Sequence, residues 1–115
     1  MSLVKAKEYL KKFHLDGNVI EFYESTATVR EAAEALGCKD AEIAKTMAFL
    51  VDDSPILIVA SGDKKIDNSK FKQTFHTKAK MIPSEELETL VGHTAGGVCP
   101  FGINSNVKVY LDVSL

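Results

Sequence analysis

Two runs of the chain, TMAFLV at Thr46–Val51 and PILIVA at Pro55–Ala60, are almost continuously apolar and lie only a few residues apart. A strand with one wet face alternates polar and apolar side chains, so runs without alternation imply that both faces are covered. The pair therefore predicts the heart of a sheet with other elements packed on it.

The flanking segments supply those elements. Leu3, Ala6, Leu10 and Phe13 recur at spacings of three and four and predict an amphipathic first helix, after which Asp16-Gly17 turns the chain. Val19–Tyr23 reads as a strand. Thr28 with Glu31 forms a capping-box signature opening a helix that carries Ala32, Ala33, Ala35 and Leu36 and stops at Gly37. Asp40 can cap one further short turn through Ile43. Beyond the two apolar runs, the pattern predicts a helix over Ser69–Phe75, a short strand at Ala79–Ile82, a helix from Pro83-Ser84 through Leu90 closed by Gly92, and a final strand over Val107–Val113. The fold class is mixed α/β. Without repeats, linkers or low-complexity tracts, residues 1–115 read as a single domain.

At 115 residues, 45% hydrophobic and 26% charged, the chain suits one globular core. No run approaches the roughly 18 apolar residues of a membrane span, and lysines thread the start, MSLVKAKEYLKKF, where a signal peptide would be apolar. The expectation is a soluble cytoplasmic protein. Cys38 and Cys99 are the only cysteines and show no CxxC spacing, which argues against a disulfide framework or a zinc site, and the histidines do not pair at ligand spacing. No metal or cofactor is expected.

The net charge of −2 argues against a general nucleic-acid binder, but the lysines are unevenly placed. Lys5, Lys7, Lys11 and Lys12 cluster near the start, and Lys64, Lys65, Lys70, Lys72, Lys78 and Lys80 fall in a stretch whose one acid is Asp67. Such a run is compatible with a solvated face or with a phosphate backbone.

Three features carry candidate chemistry. Lys45 stands where a turn gives way to the apolar strand, so its ammonium would emerge at the edge of the core, where partial desolvation sharpens its attraction to carbonyl or phosphate oxygens. His93 and Cys99 invite a nucleophile reading, yet no third residue is spaced to orient the base. The stretch GHTAGGVCPFGI, residues 92–103, spends four glycines and a proline on one loop. Glycine is costly to order, so this loop is either a tight bend or a place where something approaches bare main chain.

The stretch AKTMAFLVDDSPILIVASGDKKID, followed by the GxxxP element Gly96-Gly97-Val98-Cys99-Pro100 with Phe101-Gly102 behind it, resembles the YbaK/ProX family of aminoacyl-tRNA deacylases, related to the editing insertion of bacterial prolyl-tRNA synthetases. IEFYESTATVREAAEALG is similar to the family's first strand and following helix. The resemblance implies a central mixed, partly barrel-like β-sheet flanked by helices and hydrolysis of mischarged tRNA, commonly prolyl-tRNA carrying a smaller amino acid such as alanine or cysteine. It implies that Lys45 matches the essential lysine, that Gly96 and Gly97 offer main-chain donors to the ester, and that Val98, Cys99 and Pro100 complete the substrate loop. Tyr23 would line the pocket, with Thr46, Ser61, Gly62 and Asp63 near it. Lys64, Lys65, Lys70 and Lys72 would meet the tRNA, and an aminoacyl-tRNA synthetase is a possible partner.

Related chains continue past the equivalent of DVSL into a further strand and loop, so the chain is expected to lack the family's C-terminal segment. An exposed last strand is an edge that folded proteins usually cover. The alternative is a catalytically impaired module that binds tRNA or a synthetase.

Overall fold

The computed structural model describes residues 2–115. The two apolar runs form β1 (Ala44–Val51) and β2 (Ser54–Ser61), paired antiparallel from Ala44 opposite Ser61 to Val51 opposite Ser54. Asp52 and Asp53 both take positive φ, 49° and 63°, in the two-residue turn between them. This is the backbone that matches the right-handed twist of a hairpin, and aspartate tolerates it better than most residues.

β3 (Lys108–Leu111) pairs parallel with β2, giving a mixed sheet of order β1-β2-β3. The other edge of β1 receives residues 80–82: the Leu50 amide donates to the Lys80 carbonyl at 2.9 Å and the Ile82 amide to the Ala48 carbonyl at 3.1 Å. The short strand expected at Ala79–Ile82 is therefore a single bridge, Phe49 with Met81. Ser84, the next residue whose N–H would face β1, instead opens a 3₁₀ turn and carries the chain off the edge.

Helices cover both faces, as the apolar runs require. On one face Ala48 and Leu57 pack with Ile82, Val91, Val107 and Leu87 of α4 (Leu87–Leu90), which a 3₁₀ turn at Ser84–Glu86 precedes. On the other, Phe49 and Ile56 meet Phe71 of α3 (Asn68–Phe75), whose amino end is capped by Asp67 accepting the Lys70 amide. The Phe49 and Phe71 rings stand 5.1 Å apart. Two further helices, numbered here in chain order as α1 (Ser2–Lys11) and α2 (Val29–Leu36), flank this sandwich. The capping box forms as expected, with the Glu31 amide donating to Thr28 Oγ1 at 3.1 Å and the Thr28 amide to Glu31 Oε1 at 3.2 Å. Gly37 ends α2 with φ 68°.

Three expectations are corrected. Val19–Tyr23 is not a strand: Asp16–Asn18 forms a 3₁₀ turn, and the following residues run without a ladder, leaving Ile20 and Tyr23 exposed. Strand composition makes a strand only where a sheet pairs with it, and among the described residues no ladder bond reaches this segment. The helix expected from Ser84 through Leu90 divides into the 3₁₀ turn and the single α-turn of α4. The final strand is confined to Lys108–Leu111, because Asp112 turns the chain: the Ser114 amide donates to Asp112 Oδ2 at 2.9 Å.

Candidate active site

The 80–82 segment protects the outer edge of β1 only as far as Ala48. Beyond it, toward Ala44, that edge is bare, and there lies a cavity of about 380 Å³. Its walls come from four separated stretches: residues 26–32 at the start of α2, residues 43–48, the Met81-Ile82 pair with Leu87, and Ala95, Gly96 and Val98 of the glycine loop. Val29, Ala32, Met47, Ala48, Ile82 and Leu87 make the lining apolar, and Thr26, Thr28 and Thr46 add hydroxyl-bearing residues. Lys45, half-buried, is the one charged residue in the lining. No salt bridge or hydrogen bond occupies its ammonium among the described residues.

The glycine loop reaches this cavity because the first helix holds it. Lys5 Nζ donates to the Gly92 carbonyl at 3.0 Å, and the Tyr9 and Phe101 rings lie 6.0 Å apart. Gly102, at φ 71°, passes so close to the Lys5 main chain that a Cβ there would collide with the Lys5 carbonyl. Inside the loop, His93 is fully buried, and its Nε2 stands 2.7 Å from the Phe101 carbonyl oxygen. Gly96 takes φ +84° and approaches Ala27, with 3.2 Å between an added Cβ and the Ala27 methyl. The loop is thus both a bend and a close approach, and the close approach is to α2's leading segment.

The candidate residues separate into groups. Lys45, Thr46, Gly96 and Val98 line the cavity together. Gly97, Cys99 and Pro100 belong to the same loop but not to the lining, and the Gly97 amide is already spent on the Thr94 carbonyl at 3.0 Å. Tyr23 is fully exposed and outside the lining.

Ser61, Gly62 and Asp63 stand away from the cavity and join the end of β2 to the turn before β1. Ser61 Oγ lies 2.7 Å from the Ala41 carbonyl and 2.9 Å from Asp63 Oδ1, and the Gly62 amide donates to the Ile43 carbonyl at 2.7 Å. A Cβ at Gly62 would strike the Asp40 carbonyl and a Val29 methyl. Sequence reasoning missed the walls supplied by Thr26–Ala32, Met81 and Leu87. The capping box at Thr28 was visible as a helix start, but nothing in it announced a cavity wall.

Cys99 and His93 do come together, with Sγ 3.6 Å from Nε2. A carbonyl oxygen can only accept, so Nε2 carries the hydrogen and donates to Phe101, while the buried Nδ1 has no partner among the described residues. Burial pushes the Cys99 thiol above its usual range. A protonated thiol beside an imidazole nitrogen that is itself a donor is not an activated nucleophile.

The basic stretch also divides. Lys72 and Lys78 line a second hollow of about 380 Å³ with Asn68, Ser69 and Ala79. Lys70 instead lies in the field of Asp112, whose carboxyl is held below the usual range first by hydrogen bonds from Ser114 and more weakly by Lys70. Lys64 and Lys65 are exposed beyond β2. Among the described residues no group of three or more His, Cys, Asp or Glu side chains is placed to hold a metal, and no helix is long and apolar enough to cross a membrane.

The described residues thus form a mixed α/β fold with a small apolar cavity lined by one lysine and part of a glycine loop. The chain belongs to the aminoacyl-tRNA editing domain family, whose profile matches residues 23–115. It is 47% identical over 116 residues to the uncharacterized protein YwhH of Bacillus subtilis (strain 168), covering 100% of this chain and 74% of that protein. It is 35% identical over 86 residues to the proline–tRNA ligase of Staphylococcus aureus (strain Newman), covering 74% of this chain but 15% of the ligase. Among solved structures, a candidate trans-editing enzyme for prolyl tRNA synthetase superposes with a TM-score of 0.84 at 29% identity, covering 96% of this chain and 71% of that one.

Proposed function

We propose that this chain is a deacylase that cleaves the ester of mischarged aminoacyl-tRNA, acting on prolyl-tRNA that carries a smaller amino acid such as alanine or cysteine. The observation that carries the reading is the cavity itself, in which Lys45 and Gly96, 51 positions apart in sequence, share one apolar space of about 380 Å³. In this reading residues 1–115 form a single deacylase-like domain.

An aminoacyl ester is already activated, so the site needs no strong nucleophile. It needs to hold the carbonyl, stabilise the oxyanion and admit water or the neighbouring ribose hydroxyl. With water as the attacker, its oxygen bonds to the acyl carbon and the bond from that carbon to the ribose oxygen breaks. The ribose oxygen takes up a proton, and the amino acid leaves as a carboxylic acid that ionises at neutral pH. In this reading Lys45 anchors the carbonyl oxygen or the terminal phosphate, and Gly96 lets the ester lie against main chain. The apolar walls admit a small side chain and reject a larger one sterically. Such rejection is what a charging enzyme lacks, because one methylene of binding is worth only about 1–3 kcal/mol.

The tRNA body would lie over the lysine-rich side. Lys64, Lys65, Lys70 and Lys72 are the candidate phosphate contacts, and Lys78 joins them because it shares a hollow with Lys72. The likeness to prolyl-tRNA ligases makes a synthetase a candidate partner.

The test is a deacylation panel of alanyl-, cysteinyl- and seryl-tRNA(Pro) with the native chain and Lys45→Ala. Cleavage of at least one species by the native chain alone supports the reading. Salt-sensitive tRNA binding with every ester intact would replace it by the impaired binding module.

A further inference from the structure

The pairing of β1 leaves the main-chain groups of Thr46 facing the cavity. In an antiparallel ladder each residue directs its N–H and C=O to the same side, and successive residues alternate between sides. The Ala48 carbonyl and the Leu50 amide bond outward, to Ile82 and Lys80. Lys45, Met47, Phe49 and Val51 therefore bond inward to β2, and Thr46, two residues before Ala48, turns its N–H and C=O outward. Among the described residues nothing continues the outer ladder to meet them: Ser84, the next residue that would face β1, opens a 3₁₀ turn, and no main-chain hydrogen bond from outside the β1–β2 hairpin reaches Thr46. The cavity lies on this same side, since Met81 and Ile82 line it and no residue of β2 does.

The chemistry of the lining raises a matching question. An aminoacyl ester carries an α-ammonium, yet no Asp or Glu lines the cavity and the one charged residue is itself a cation. A buried ammonium needs acceptors, and main-chain carbonyls can supply them. We propose that the open edge of β1 at Thr46 is the subsite for the α-amino acyl group, which docks there as a one-residue strand. Its ammonium donates to the Thr46 carbonyl and its ester carbonyl accepts from the Thr46 amide, reproducing the two-bond exchange of a hydrogen-bonded antiparallel pair. The side chain of the amino acid then projects into the apolar walls. Recognition of this kind reads the α-amine and the carbonyl, which all amino acids share, and leaves selection to cavity size. This inference rests on the deacylase reading of the cavity.

Two non-hydrolysable probes test it on the ¹⁵N-labelled chain: adenosine bearing a 3′-alanylamino group, and its 3′-propionylamino counterpart, which lacks only the α-amine. The expected result is saturable binding of the first with displacement of the Thr46 amide signal, and binding of the second weaker by about tenfold or more. Thr46→Pro removes the outward N–H while sparing the inward bonds of Lys45 and Met47, and should weaken the alanyl probe about tenfold. Displacement of the Lys45 and Gly96 signals with Thr46 unmoved and the two probes equal would overturn the edge docking alone. No saturable displacement of any cavity residue would overturn the deacylase reading with it. The probe pair decides the matter even if the proline variant does not fold.

Discussion

His93 Nε2 donates to the Phe101 carbonyl across 2.7 Å, and through this bond a fully buried ring ties the start of the glycine loop to its end. The bond closes a loop whose middle, at Gly96, meets Ala27 at the cavity wall. Replacing His93 by Leu removes this donor and leaves the Phe101 carbonyl only the weaker Cys99 thiol at 3.6 Å, a loss of about 0.5–1.5 kcal/mol. Chemical denaturation should show that loss. Glutamine, which can present an amide N–H at a similar reach, should recover part of it.

Lys45 is half-buried at the end of β1, and its ammonium serves no other residue among those described. Lys45→Ala is expected to keep the melting temperature within a few degrees while lowering ester cleavage about 100-fold or more, the scale seen when one transition-state contact is removed. A parallel fall in both quantities would show that the residue serves the fold instead.

Gly96 combines φ +84° with a 3.2 Å approach to the Ala27 methyl. Gly96→Ala should cost about 1–2 kcal/mol from the left-handed backbone alone. Its deacylation rate should drop further than that strain explains, because the added methyl pushes the loop off the cavity wall. Single-turnover cleavage measured beside a urea melt separates the two effects.

Gly62 offers a contrast, since it stands outside the cavity lining and its close neighbours hold the fold. A methyl there meets the Asp40 carbonyl and the Val29 side chain, both fixed by the turn before β1 and the start of α2. Gly62→Ala should destabilise the protein by about 1–3 kcal/mol or more. Expression yield and Tm should register this whether or not substrate is present.

Cys99 should prove dispensable for chemistry. Burial raises its pKa, so the thiol stays protonated through neutral pH and its alkylation should need more alkaline conditions than a free peptide thiol. The sign for stability follows from the same shift. The folded group holds its proton longer than the unfolded one, so the contribution is whole below the ordinary thiol range, near pH 8.5, and declines as pH rises through it. Cys99→Ala should abolish that decline and leave ester cleavage in place, as a pH series of urea melts and a deacylation assay would show.

Local signals in the chain determined the elements that depend on neighbours in sequence. The two apolar strands, the capping box at Thr28 and Glu31, the stop at Gly37 and the helix read over Ser69–Phe75 all rest on residues a few positions apart, and all form, the helix starting one residue earlier. The likeness in AKTMAFLV and GGVCPFG likewise pointed to Lys45, Thr46, Gly96 and Val98, which meet at one cavity. What only the tertiary structure decided depends on partners far away in the chain. Val19–Tyr23 has the composition of a strand but pairs with no sheet among the described residues. Ser61-Gly62-Asp63 lies among motif residues but serves the packing of Asp40, Ile43 and Val29. Lys5, one of a cluster of amino-terminal lysines, is taken up by the Gly92 carbonyl 87 residues away. The outer ladder on β1 stops short of Thr46 because the chain turns away at Ser84–Glu86, and the cavity lies along the edge left open. Periodicity and capping are short-range and can be read along the chain, whereas an unpaired edge is defined by what fails to arrive beside it, and that is known only once the whole chain has folded.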